Sequence, residues 1–188
     1  MRSSDVVRRV RAAEWQSAKE LRLDALRDPA APVAFLETYE SALEQPDVFW
    51  QERTARGAEG DEAAQFVAEA ADGTWAGTVT VLVERPDRAA RFGGAVDAVQ
   101  GHLVGVFVRP QARGTGLTDA LFRTAVEWSW ALHDPFLTRL RLFVHEENPR
   151  AAAFYRRFGF VPTGSTVPGP AGPDGAASLE LEHVLERG

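Results

Sequence analysis

The chain has 188 residues, 45% of them hydrophobic, which is enough for one domain with a substantial core and short for two. A formal charge of −6 and a pI near 5.3 argue against nucleic acid as a partner and mildly favour a cationic substrate, while the absence of cysteine and only four scattered histidines (His102, His133, His145, His183) argue against disulfides, thiolate nucleophiles and a dedicated metal site. No apolar run approaches the roughly 20 residues that span a bilayer, and "MRSSDVVRRVRAAEW" lacks the apolar core of a signal peptide, so a cytoplasmic protein with no membrane partner is expected.

Asp5 to Arg11 reads as a first strand. Trp15 to Arg27 reads as a helix whose apolar positions are Leu21, Leu23 and Ala25-Leu26, stopped by Pro29. A second helical region covers Glu37 to Arg56 and is interrupted near Pro46. Two strands follow, Ala64 to Ala71 and Thr74 to Glu84, joined at Asp72-Gly73, a dipeptide that favours a tight hairpin turn. Gly101 to Val108 is rich in valine and apolar on both faces, as a strand in the middle of a sheet should be.

Past "RPQARGTG", Leu117, Leu121, Thr124-Ala125, Trp128 and Leu132 recur every three to four residues, which predicts a helix to about His133. Trp128 falls on its core stripe, whereas Trp130 lies near the polar face and is a candidate contact in a homodimer. Thr138 to His145 alternates as a strand. Asn148 and Pro149 then supply an N-cap and a first-turn proline, and Gly159 a C-terminal cap, around a helix carrying Ala151, Ala152, Tyr155 and Phe158. "FGFVPTG" and "ASLELEHVL" read as two closing strands. The loop-rich stretches Arg56 to Ala64 and Pro168 to Ala177 are short enough to lie within a single domain, 1–188.

The junction Arg113-Gly114-Thr115-Gly116, between a central strand and a helix, is where chemistry is most legible. Glycines accept positive φ and let a ligand approach the backbone, and free N–H groups at the helix start favour negative charge. An anion site, most plausibly for phosphate, is therefore predicted, with Arg113 adding a permanent charge. It is neither a P-loop, which needs a lysine that the chain lacks beyond Lys19, nor a dinucleotide fingerprint, which needs a third glycine. On these residues alone, the two glycines could equally do no more than turn the chain.

Two segments, "VFVRPQARGTGLTDALF" and "HEENPRAAAFYRRFGF", together with the order of elements, resemble the GCN5-related N-acetyltransferase (GNAT) family. The likeness is firm from about Gly101 to Gly164 and extends to the N-terminal half in element order only. It implies an α/β fold with a mixed, mainly antiparallel central sheet flanked by helices, and a loop for acetyl-CoA that runs Gln or Arg, two variable residues, Gly, one variable residue, Gly or Ala. Arg113 to Thr118 supplies that pattern except for Thr118 at the last position; the frame Gln111 to Gly116 also fits, but the first places its last residue within the first helical turn.

The resemblance further implies that backbone groups of Phe107 and Val108 bind the pantetheine arm and that those of Arg113, Gly114, Thr115, Gly116, Leu117 and Thr118 hold the pyrophosphate. Asn148 is similar to the asparagine near the pantetheine, with an N-cap role open beside it, and Tyr155 to the tyrosine near the thioester sulfur, where it would protonate the departing thiolate. A backbone N–H of Phe107 or a neighbour would stabilise the oxyanion. His102 is the candidate general base and His145 a poorer one. Glu37 and Glu40 could line the acceptor cleft, although a solvated helix face is favoured for them. The implied function is transfer of an acetyl group from acetyl-CoA to a primary amine of a small molecule or peptide, with Ala30 to Trp50 and Thr163 to Ala177 setting acceptor choice. A non-catalytic acyl-CoA-binding sensor or assembly module and an unrelated phosphate-binding protein are the alternatives.

Overall fold

The computed structural model describes residues 6–88, 92–169 and 177–188. Seven strands form one sheet: β1 (Val6–Arg9), β2 (Ala63–Glu69), β3 (Trp75–Glu84), β4 (Gln100–Val108), β5 (Arg139–His145), β6 (Val161–Pro168) and β7 (Leu179–Glu186), in the order β1-β2-β3-β4-β5-β7-β6. Every neighbouring pair is antiparallel except β4 and β5. The helices are α1 (Trp15–Leu26), α2 (Tyr39–Leu43), α3 (Asp47–Ala58), α4 (Leu117–Ala131) and α5 (Pro149–Phe158).

Local signals place most of these elements. The Asp72-Gly73 turn closes β2 on β3, with Gly73 at φ +82° and the Asp72 carboxylate accepting from the Thr74 N–H. The second helical region is two helices: Pro46 is the N-cap of α3, and its fixed extended conformation separates α3 from the five-residue α2, which Thr38 caps. Glu37 therefore lies before a helix and not on the face of one. Asn148 Oδ1 accepts from the Ala151 N–H at the start of α5, and Gly159 ends that helix at φ +119°.

The apolar stripe of α4 (Leu117, Leu121, Phe122, Ala125) packs on one face of the sheet against Phe66, Val79, Val81 and Leu140. Phe122 is fully buried and touches the rings of Phe154, Tyr155, Phe158 and Phe160, so α4 and α5 share one aromatic cluster. On a separate core, Ala18, Leu21 and Ala25 of α1 cover Val10, Val67, Trp75 and Phe107. Trp128 packs edge-on against Phe66, while Trp130 is half-buried beneath the Arg187 guanidinium. Among the described residues no helix is long and apolar enough to cross a membrane, and no group of His, Asp or Glu could hold a metal ion.

Candidate active site

The parallel pairing of β4 and β5 is short. Only Gly101 with Leu140 and His102 with Arg141 are in register, and beyond them the strands part. Gly101 lets the strands come together there, because a Cβ on it would lie 2.3 Å from Leu140 Cδ2. Farther along, β4 has an irregularity between its partners Thr78 and Thr80, centred on Gly105 at φ +63°. Past His102 the outer backbone edge of β4, from Leu103 to Phe107, has no strand partner among the described residues.

The opening is a cleft of about 600 Å³ with β4 residues Leu103 to Val108 on one wall and Phe143, Val144 and His145 of β5 on the other. Its far end reaches the turn before α4. Gly114 stands at φ +74° and Gly116, the N-cap of α4, at φ +85°, and a Cβ on Gly114 would meet no atom within 4 Å. Both glycines line the cleft with Thr118 and Asp119, so backbone donors at the start of a fifteen-residue helix open onto it. The exposed guanidinium groups of Arg150 and Arg157 add positive charge from α5.

The sequence-predicted residues divide here. Phe107, Val108, Gly114, Gly116, Thr118, Asn148 and Tyr155 line this one cleft. Arg113 lines it too, but its charge is largely committed: Nε donates to the Val108 carbonyl at 3.0 Å and Nη2 bonds Asp28. Thr115 turns away, its Oγ1 donating to the Ala112 carbonyl at 2.8 Å, and the Leu117 side chain is core. For those two only the backbone is near the site. Asn148 caps α5 and donates from Nδ2 to the Val33 carbonyl at 3.2 Å, which ties α5 to the segment after α1.

His102 is not brought to the cleft. It is 3% exposed, and its Nδ1 lies 2.9 Å from Glu84 Oε1. Arg141 Nε pairs with the same carboxylate at 2.7 Å and Gln100 donates to it at 3.0 Å. Burial alone would raise the Glu84 pKa, but hydrogen bonds from His102 and Arg141 hold it down at about 2. This network joins β3, β4 and β5 where they are still in register, and it leaves His102 poorly placed to serve as a base in the cleft. Glu37, predicted as solvated, forms an ion pair with Arg22 at 2.9 Å; neither it nor the exposed Glu40 lines the cleft.

Tyr155 is 8% exposed, and among the described residues no hydrogen bond engages its hydroxyl. Burial, reinforced by the negative charge of Glu180, pushes its pKa well above the ordinary phenolic value, so it stays protonated at neutral pH. Glu180 also lines the cleft, and sequence reasoning missed it. Burial raises its carboxyl to about 7. The signal that points to it is the alternation Glu180, Glu182, Val184 in β7, which sets acids on a face that is otherwise buried.

A family model described as "Acetyltransferase (GNAT) family" matches residues 19–160. No curated protein matches the chain in sequence. Solved structures share its fold at low identity. A GNAT-family acetyltransferase from Streptococcus pneumoniae aligns with TM-score 0.78 at 18% identity, covering 97% of this chain and 99% of its own. NAA60 from Arabidopsis thaliana, solved in complex with acetyl-CoA, aligns with TM-score 0.69 at 15% identity over 97% and 98%. Spermidine N-acetyltransferase from Vibrio cholerae, in a dodecameric structure, aligns with TM-score 0.67 at 18% identity over 98% and 95%.

Proposed function

We propose that this chain, which belongs to the acetyltransferase (GNAT) family, transfers an acetyl group from acetyl-CoA directly to a primary amine. The observation that carries the reading is the continuity of the cleft: an unpaired strand edge on β4 leads without interruption to a glycine turn at the start of α4. An extended pantetheine arm can add to such an edge through its amides, and a pyrophosphate suits backbone donors at a helix start. The structural neighbour NAA60 was solved with acetyl-CoA.

In this reading Phe107 and Val108 offer backbone groups to the arm, and the turn from Arg113 to Thr118 holds the pyrophosphate. Thr118, at the position that departs from the family pattern, faces the cleft and offers a hydroxyl to a phosphate oxygen. Asn148 acts through position, fixing the start of α5 and hence Tyr155 two turns on. Tyr155 donates to the sulfur as the C–S bond breaks, and a β4 backbone N–H takes the developing oxyanion.

The test is calorimetric binding of acetyl-CoA followed by a CoA-release screen over a panel of amines. Binding together with amine-dependent release is the expected result. Binding with no release for any amine would instead favour an acyl-CoA sensor, and binding of phosphorylated ligands other than acyl-CoA would overturn the reading.

A further inference from the structure

Acetyl transfer to an ammonium requires that it lose a proton before its nitrogen can attack. With His102 locked to Glu84 and Arg141, that step needs another group. We propose that Glu180 is the catalytic base, accepting the ammonium proton where β4 and β5 part, across the cleft from the acyl group and beside Tyr155. The inference rests on the N-acetyltransferase reading above.

Three glutamates are buried among the described residues: Glu84, Glu180 and Glu182. Glu84 is bonded by Arg141, His102 and Gln100, and Glu182 by Arg139 and Thr163. Glu180 has no such partner among the described residues, although it is only 9% exposed. A buried carboxylate without a cation is costly to the fold, and a fold that places one on the wall of a cleft gains nothing from it in stability. Its half-titration near neutral pH, caused by burial, leaves it ionised often enough to take a proton and basic enough to hold one.

The groups facing it from each packed element fit the role. From β5, His145 is its register partner; His145 Nδ1 accepts the Glu147 N–H, which places the neutral ring's proton on Nε2. From α5 come Tyr155 and, at the rim, Arg150 and Arg157. Strand β6 brings no titratable side chain. Along β7 itself, Glu182 is committed as above, and across the cleft Asp28 is bonded to Arg113.

The step balances. Glu180 takes one proton from the ammonium, and the neutral nitrogen attacks the thioester carbon to give a tetrahedral species. The C–S bond breaks, the thiolate takes the Tyr155 proton, and the phenolate recovers one from the new amide nitrogen. Glu180 releases its proton to solvent, leaving the amide and CoA thiol. Because Glu180 raises the Tyr155 pKa, its protonation in the first half makes Tyr155 a readier donor in the second.

The test compares wild type, Glu180→Gln and Glu180→Asp in the CoA-release assay with the best amine of the panel, across neutral pH, with acetyl-CoA binding measured in parallel. Wild-type kcat/KM should climb along an ionisation limb near pH 7; Glu180→Gln should lose that limb and lower kcat about 100-fold or more while binding acetyl-CoA normally. Glu180→Asp should keep the limb, and should Glu180→Gln not fold, a kcat for Glu180→Asp lowered about tenfold supports the role and an unchanged one overturns it. An unchanged kcat and limb in a folded Glu180→Gln removes the role, as does a rise in KM alone, which would make Glu180 only an anchor for the cation. Wild type that neither binds acetyl-CoA nor releases CoA overturns the acetyltransferase reading and this inference together, whereas an active wild type with an indifferent Glu180→Gln overturns this inference alone.

Discussion

Gly114→Ala separates what the turn does for the fold from what it does for a ligand. Gly114 has φ +74°, and an added Cβ meets no protein atom within 4 Å, so the folding cost is the left-handed backbone alone. That is about 1–2 kcal/mol, which for a chain of this size lowers Tm by about 2–8 °C. The same Cβ projects into the space where the pyrophosphate would approach the amides. Losing one hydrogen bond to a charged oxygen costs about 1.5–3 kcal/mol, so Kd for CoA should rise about 10- to 150-fold. Gly73→Ala is the matched control: φ is +82°, nothing lies within 4 Å of the added Cβ, and the site is a distant hairpin turn. Thermal melts should show similar losses for both variants, and calorimetry should show weakened CoA binding for Gly114→Ala only. Equal CoA affinity in both variants would remove the phosphate from this turn.

Tyr155→Phe deletes a hydroxyl with no hydrogen bond among the described residues, so Tm and acetyl-CoA affinity should hold while kcat falls about 100-fold or more; unchanged turnover across pH refutes the acid role. Asn148→Ala removes the cap of α5 and its tie to Val33, and should cost about 1–2 kcal/mol by denaturant titration. Glu84 has a depressed folded-state pKa of about 2, so its stabilisation is present above the ordinary carboxylate value of 4.5 and lost as pH falls through 2. That loss amounts to about 3 kcal/mol. Urea midpoints measured from neutral pH into acid should show it, and Glu84→Gln, although less stable at neutral pH, should show a flatter acid limb.

What the sequence makes legible is local. The Asp72-Gly73 turn, the Asn148-Pro149 start and Gly159 end of α5, and the three-to-four-residue recurrence from Leu117 are set by residues within a turn of one another, and each stands where it was predicted. The glycines of the α4 turn were legible for the same reason, since positive φ is a property of single residues. His102 shows the limit. A histidine early in a central strand invites a catalytic reading, but its fate is decided by Glu84, eighteen residues earlier on β3, and Arg141, on a strand reached only after α4. Arg113 likewise turns back to Asp28 at the end of α1, a pairing that no local pattern encodes. Insertion of β7 between β5 and β6 is equally non-local, and it is what carries Glu180 to the cleft.

Two uncompensated features therefore meet at one place in the fold. Among the described residues, the β4 edge beyond His102 has backbone groups that no strand satisfies, and the β7 carboxylate facing the same cleft is bonded to no cation. Backbone groups left unpaired must find water or a ligand, and an unpaired buried acid must be neutralised or accept a proton from what binds beside it. The nearby cluster of Glu84, His102, Gln100 and Arg141 shows that this sheet can pair its buried charges where its strands stay together. The open strand edge and the carboxylate both lie where they part, and an extended amide-bearing thioester together with an ammonium acceptor would satisfy both at once. That coincidence is a stronger argument for the assigned chemistry than any single residue, because each feature alone would be a cost that a purely structural cleft had no reason to carry.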